Sequence, residues 1–364
     1  DSANRLGESR VVGVAMGACA GLGAIKVAGS HVSVMVKDTS QVFAAGPPVV
    51  EAGMNQPISK EDLGGYQIHA HGSGVVDNEA EGEEDAIAQA KQFLSYLPRN
   101  VHRIPPVQAS DDDPGRREEA LLTLIPRERR RVYKARKILQ LVLDRGSIFE
   151  IGRYNGPSVI TCLARLDGHP VGVLANDPYQ YGGAMTLVSS QKIESFVDLC
   201  DTFHIPIVNF FDQPGVMIGL EAEKAGTIRA AIRALAAIEQ SNTPWCSIIV
   251  RRAFGVAGAA HGRINGINMR YAWPSAIWGS IPIEGGVAAA YRRELADHPD
   301  PAARTEELEE HFYQYASPFR TAERFGINDI IDPRDTRALL CDWIKDAYEQ
   351  LPEMVGPRAR TMRR

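Results

Sequence analysis

The sequence predicts an α/β protein built from two similar domains, the first of them apparently lacking its N-terminal part. Three observations carry that reading. Short apolar runs of strand length alternate with longer runs of helical spacing, as in layered α/β folds. Two windows 235 residues apart read alike, each an apolar strand, a small-residue turn, a second strand and an aromatic-to-proline turn, which is the mark of an internal duplication. Finally, the strand-like run Val11–Met16 follows Asp1 almost at once, with no segment that opens a domain.

Taken in order, Val11–Met16 reads as a buried strand, and residues 17–24 (GACAGLGA) supply a tight turn into a closely packed helix. His31–Lys37 alternates, with Val32, Val34 and Val36 on one face, and predicts a second strand. Ala86–Leu97 has helical spacing that stops before Pro98. The Pro/Asp-rich stretch Pro105–Gly115 reads as a linker, so the domains are placed at residues 1–110 and 111–364. Beyond it, the spacing predicts a helix over Arg129–Leu143 and strands over Ser158–Arg165, Pro170–Ala175 and Ile205–Phe211, with a helix over Ile193–Phe203 between the last two. A helix over Ala222–Gln240 and a strand over Cys246–Val250 follow, and the second domain is expected to have its own core. The shift of 235 places Val14 on Ile249, Ala20 on Gly255, Gly23 on Gly258 and Ala24 on Ala259, then Phe43 on Trp278 and Pro47 on Pro282.

At 364 residues the chain has length for about two domains. Its 33 glycines and 22 prolines, about 15% of the chain against an average of roughly 12%, suit many tight connections. A net charge of -5 offers no overall field for a polyanion, which argues against nucleic acid. One local exception, Arg127-Glu128-Arg129-Arg130-Arg131, can meet phosphates or an acidic partner, and is otherwise a solvated helix face. No apolar stretch approaches ~18 residues, so no membrane span is expected. Five cysteines without metal-ligand spacing predict reduced, buried thiols in a cytoplasmic or matrix-type compartment.

A turn of Gly and Ala entering a helix exposes backbone N–H groups with no intrahelical acceptor, and the helix dipole adds positive potential there. Two convergent N–H groups can hold an oxyanion and lower a barrier by a few kcal/mol. The competing reading is tight helix–strand packing, and the paired occurrence favours chemistry. Neither Gly17–Ser30 nor Arg252–Gly262 contains Asp or Glu, so neither turn carries its own carboxylate acid or base. His261 is the nearest titratable group to the second turn, either a base or a hydrogen-bonding residue of the loop.

The chain resembles the carboxyltransferase (beta) subunit of biotin-dependent acyl-CoA carboxylases, the propionyl-CoA and methylcrotonyl-CoA carboxylase beta type. The resemblance rests on residues 17–21 (GACAG), 35–40 (MVKDTS), 61–65 (EDLGG), 94–98 (LSYLP), 144–147 (DRGS), 212–215 (DQPG), 252–255 (RAFG) and 272–276 (AWPSA), which occur in family order. It implies two duplicated crotonase-like (ClpP-like) domains, a hexamer, and a biotin carboxylase and biotin carboxyl carrier as partners. Carried over by position, the backbone N–H groups of Gly21 and Leu22 would face the thioester carbonyl of a coenzyme A ester. Those of Val256 and Ala257 would face biotin, with Trp278 lining that site and Ala20, Gly255, Gly258 and Ala259 shaping the substrate pocket. The missing acid and base then fit a reaction in which carboxybiotin brings its own base. Leu22 and Val256 stand where the family usually has glycine, and small Gly258 and Ala259 imply a roomy acyl pocket.

Two other readings compete. A biotin-linked CoA-ester decarboxylase would run the same chemistry in reverse. A non-catalytic paralogue in a mixed complex is motivated by Leu22 and Val256. A crotonase-type hydratase would need a carboxylate beside the first turn.

Overall fold

The computed structural model describes residues 2–262 and 267–360; Asp1 and the last four residues of the basic C-terminal end lie outside the described residues. The first half contributes β1 (Val12–Ala15), β2 (Ala18–Ala20), β3 (Val32–Val36), β4 (Gln41–Phe43) and β5 (Asn78–Ala80). β1, β3 and β5 form a parallel three-stranded sheet, and β2 pairs with β4 alone. The second half contributes β6 (Phe149–Ile151), β7 (Val159–Leu166), β8 (His169–Asn176), β9 (Ile207–Gln213) and β10 (Trp245–Phe254). After these come β11 (Met269–Ala272), β12 (Ile277–Gly279) and β13 (Asp329–Ile330). They make a sheet ordered β13-β11-β10-β9-β8-β7-β6, antiparallel from β6 to β8 and parallel from β8 onward, with β12 also on β10. Parallel pairing needs crossovers, and the helices Leu187–Thr202 and Thr227–Gln240 provide them.

The duplication is visible in the ladders. β1 pairs with β3 from Val12↔Val32 to Ala15↔Met35, and β10 pairs with β11 from Cys246↔Met269 to Ile249↔Ala272, four residues each. β2 meets β4 as the end of β10 meets β12, with Ala18↔Gln41 matching Arg252↔Ile277. An eight-residue helix follows in both, Pro47–Met54 and Ile283–Ala290. The matched positions are 234 residues apart in the first strand and turn (Val12 and Cys246, Gly21 and Gly255), 237 in the second strand (Val32 and Met269) and 236 in the third (Gln41 and Ile277). A single shift of 235 therefore misses all three by one or two residues, because the intervening loops differ in length.

Three other expectations change. The helix expected over Arg129–Leu143 begins only at Ala135. Tyr133 is buried with its hydroxyl on Asp212 (2.9 Å), and the Arg131 carbonyl accepts from Arg251 (2.8 Å), so tertiary bonds hold 129–134 out of the helix. The helix expected over Ala222–Gln240 is two, Leu220–Ala225 and Thr227–Gln240, divided by left-handed Gly226. In β3 every residue is buried, because the face opposite the valines carries Met35 and Ser33, whose backbone and hydroxyl both donate to Asp77.

One apolar cluster belongs to the second half alone, joining Leu139, Val173, Ile248 and Ile344. The largest cluster runs through both halves, from Val34 and Phe93 to Phe196 and Ala257, so the second half's core is continuous with the first's. Cys162, Cys200, Cys246 and Cys341 are buried, and Cys19 is half-buried.

Candidate active site

In each copy a glycine stands where strand gives way to a helical turn, Gly21 after β2 and Gly255 after β10, in a backbone conformation that glycine adopts most readily. Gly21 has φ 56° and ψ −119°, Gly255 has φ 64° and ψ −160°, and each is the N-cap of the helical turn that follows. The N–H of Gly21 donates to the carbonyls of Phe43 (3.3 Å) and Ala44 (3.2 Å), and that of Gly255 to the carbonyl of Gly279 (3.0 Å). These bonds tie each turn to the third strand. They also mean that Gly21, expected as an oxyanion donor, already uses its N–H inside the fold.

The next two N–H groups differ. Leu22 and Gly23 open the helix Leu22–Ala28, and Val256 and Ala257 open the single turn Val256–Ala259. The first helical bonds come later, from Ile25 to the Gly21 carbonyl and from Gly258 to the Gly255 carbonyl. Among the described residues, the N–H groups of Leu22, Gly23, Val256 and Ala257 have no acceptor. The equivalent pairs are thus Leu22/Gly23 and Val256/Ala257. Leu22, Val256 and Ala257 of the expected set have free N–H groups, as Gly23 does, whereas that of Gly21 is engaged.

The side chains at the leading donors point outward. Leu22 is 68% exposed and Val256 is 72% exposed, so neither closes its turn from inside. Ala257 and Gly258 are buried, and a Cβ on Gly258 would come within 2.9 Å of the Ala253 backbone. Ala20 and Ala259 are exposed. Trp278 is half-buried in β12, opposite Ala253.

Behind the second turn lies a charged network that reading the sequence did not assemble. Between Ile249↔Phe211 and Ala253↔Gln213 the ladder shifts register, β10 advancing four residues while β9 advances two. Such a bulge re-aims side chains, and here both Arg251 and Arg252 reach buried Asp212. Arg252 Nε lies 2.6 Å from Asp212 Oδ1 and Arg251 Nε 3.2 Å from Oδ2, while the Arg252 N–H donates to Oδ1 at 3.0 Å. Burial would raise the Asp212 pKa, but Arg252 and Arg251 outweigh it and hold the carboxyl below its ordinary range. The only sequence signal was position: Asp212 and the two arginines sit near the C-terminal ends of adjacent strands.

His261 is not a base in waiting. Its Nδ1 is buried without a partner, its ring packs against Phe211, and burial together with Arg270 lowers its pKa to about 3. No group of three His, Cys, Asp or Glu that could hold a metal occurs among the described residues. No described helix is long and apolar enough to cross a membrane.

Residues 9–360 match the carboxyl transferase domain family. The chain is 36% identical over 324 residues to the carboxyltransferase subunit of propionyl-CoA carboxylase from Haloferax mediterranei, covering 88% of this chain and 63% of that one. It is 34% identical over 338 residues to methylmalonyl-CoA decarboxylase subunit alpha from Veillonella parvula, covering 93% and 65%. A crystal structure of transcarboxylase 12S, a hexamer assembly with methylmalonyl-coenzyme A and methylmalonic acid bound, matches with a TM-score of 0.87 at 27% identity, over 100% of this chain and 68% of that one. The chain spans just under two thirds of the length of the curated relatives it matches. The likeness to the solved carboxyltransferases gives the repeated units the crotonase-like fold. With a family match along nearly its whole length and relatives above 30% identity, the chain belongs to the carboxyl transferase domain family.

Proposed function

We propose that this chain is the carboxyltransferase component of a biotin-dependent acyl-CoA carboxylase, moving a carboxyl group to the α carbon, or vinylogous position, of a coenzyme A ester. The observation that carries the reading is the twin turn: two copies, each with a left-handed glycine tied to the third strand and two following N–H groups without acceptors. Leu22 and Gly23 hold the thioester oxygen as it gains charge in the enolate. Val256 and Ala257 hold the ureido carbonyl of biotin, beside Trp278. Carboxybiotin, carried by a partner, would supply both the carboxyl group and the base, which suits turns without Asp or Glu. The protein then contributes placement and preorganised dipoles. Small, exposed Ala259 leaves room for an acyl group longer than propionyl, whereas the space beside Gly258 is filled by the Ala253 backbone.

The partners are a biotin carboxylase and a biotinylated carrier, in a homo- or hetero-hexamer of cytoplasm or mitochondrial matrix. The test combines the purified protein with those partners, ATP, bicarbonate and a series of acyl-CoA esters. ATP-dependent carboxylated product is expected, with a preference for longer acyl chains; no ATP-dependent product, together with transfer of the carboxyl group from a carboxylated CoA ester to the biotinylated carrier, would overturn it in favour of the decarboxylase, the second reading, suggested by the relative from Veillonella parvula.

A further inference from the structure

The basic run 127–131 has no part in the chemistry above. It forms no helix face; with the end of β10 it walls a cleft of ≈ 500 Å³. Arg127, Arg129 and Arg130 stand exposed at its rim, and Arg251 and Arg252 lie deeper. The deeper pair is satisfied by Asp212. Arg129 stacks on Tyr313, its guanidinium carbon 3.4 Å from the ring centroid, and reaches Glu310 at 3.4 Å. Glu284 also lines the cleft and accepts from the Tyr313 hydroxyl at 2.6 Å. Among the described residues, Arg127 and Arg130 have no carboxylate partner.

Five arginines and one carboxylate, Glu284, line the cleft; Asp212 pairs Arg251 and Arg252 from behind and Glu310 pairs Arg129, which leaves Arg127 and Arg130 without a carboxylate. The fork of arginine suits phosphate oxygens. The volume lies in the range of small-molecule sites and exceeds what a lone phosphate fills. Ile125, Val132, Phe254 and Ile277 give the rest of the wall an apolar character.

We infer that this cleft binds an organic phosphate, its phosphate held by Arg127 and Arg130 and its organic body lying on the apolar wall beside Tyr313. The source is either the phosphorylated end of the coenzyme A ester, which rests on the function proposed above, or a separate phosphorylated metabolite, which does not.

Isothermal calorimetry on the intact protein tests this with CoA, dephospho-CoA, ADP and inorganic phosphate. At least one organic phosphate is expected to bind more tightly than inorganic phosphate. Its affinity should fall at least about tenfold in Arg127→Ala/Arg130→Ala, with a weaker salt dependence, and less in Arg127→Lys/Arg130→Lys, which keeps charge but loses the fork. Both positions are exposed, so an unchanged melting curve checks the fold, and the Lys variant serves should the Ala variant unfold. CoA favoured over dephospho-CoA assigns the substrate as source; ADP binding undisturbed by CoA assigns a separate metabolite. Failure of every organic phosphate to bind, or equal binding by the Ala variant, overturns the site. Calorimetry needs no turnover, so this outcome is independent of whether carboxyl transfer occurs.

Discussion

A backbone donor can be deleted here without disturbing the turn, because Leu22 and Val256 are each the first residue of a helical turn. Proline is tolerated at that position, where it lacks only an N–H that has no intrahelical acceptor. In Leu22→Pro, the bond from Ile25 to the Gly21 carbonyl is kept. Gly21, at φ 56° and ψ −119°, lies outside the helical region that a following proline disfavours. Leucine is 68% exposed, so at most about a third of its burial energy, roughly 1 kcal/mol, is at stake. Loss of one oxyanion donor costs about 2.7–4 kcal/mol of transition-state stabilisation, or about 10²–10³ in kcat. Leu22→Pro should therefore lose about two to three orders of magnitude in steady-state carboxylation, while Leu22→Ala, which keeps the N–H, stays within about threefold of the parent. Val256→Pro should behave alike at the second turn. Equal rates in Leu22→Pro and Leu22→Ala, with both folded by circular dichroism, would refute the assignment of Leu22 as a donor.

Asp212→Asn leaves the Arg251 and Arg252 charges buried without their counter-ion and should cost about 3–5 kcal/mol in urea unfolding. Because the folded pKa of Asp212 is depressed, its stabilisation is full above the ordinary carboxylate range and lost as pH falls through the folded value; Asp212→Asn should remove that acid-side loss. His261, at about 3, is neutral when folded and takes up a proton on unfolding, so its contribution falls by about 1.4 kcal/mol per pH unit as pH drops well below ~6.5. Between pH 7 and pH 4.5 the stability of His261→Gln should therefore gain about 2–3 kcal/mol on that of the parent, read as melting curves that shift apart in the variant's favour as pH falls, and activity should survive the substitution. Ala259→Ile should shift a chain-length series toward shorter acyl-CoA esters, since Ala259 is exposed at the second turn; an unchanged preference would remove it from the acyl pocket.

The strands, the repeated device and the turn were legible because each is local: valine runs, small residues and a glycine where only glycine fits. That the Gly21 N–H is engaged could not be read locally, because its acceptors, the carbonyls of Phe43 and Ala44, lie more than twenty residues on. The non-helical form of 129–134 was invisible for a different reason. Its residues have ordinary helix propensity, and what overrides it is Tyr133 on Asp212 and the Arg131 carbonyl under Arg251, contacts 79 and 120 residues away. The bulge that brings Arg251 and Arg252 onto one carboxylate likewise depends on how β10 lies against β9, which no window of sequence contains.

The unequal offsets of the two copies divide each repeat into a fixed part and a free part. From the first rung of the β1–β3 and β10–β11 ladders to the donor pair, both count the same number of residues, Val12 to Leu22 and Cys246 to Val256. Only beyond the donors does the count drift, by three residues before β11 and back by one before β12. The strand is thus a ruler with the N–H pair at its end. One residue inserted inside the ruler would turn each donor away and present its neighbour, whereas loops past the pair can lengthen without moving either N–H.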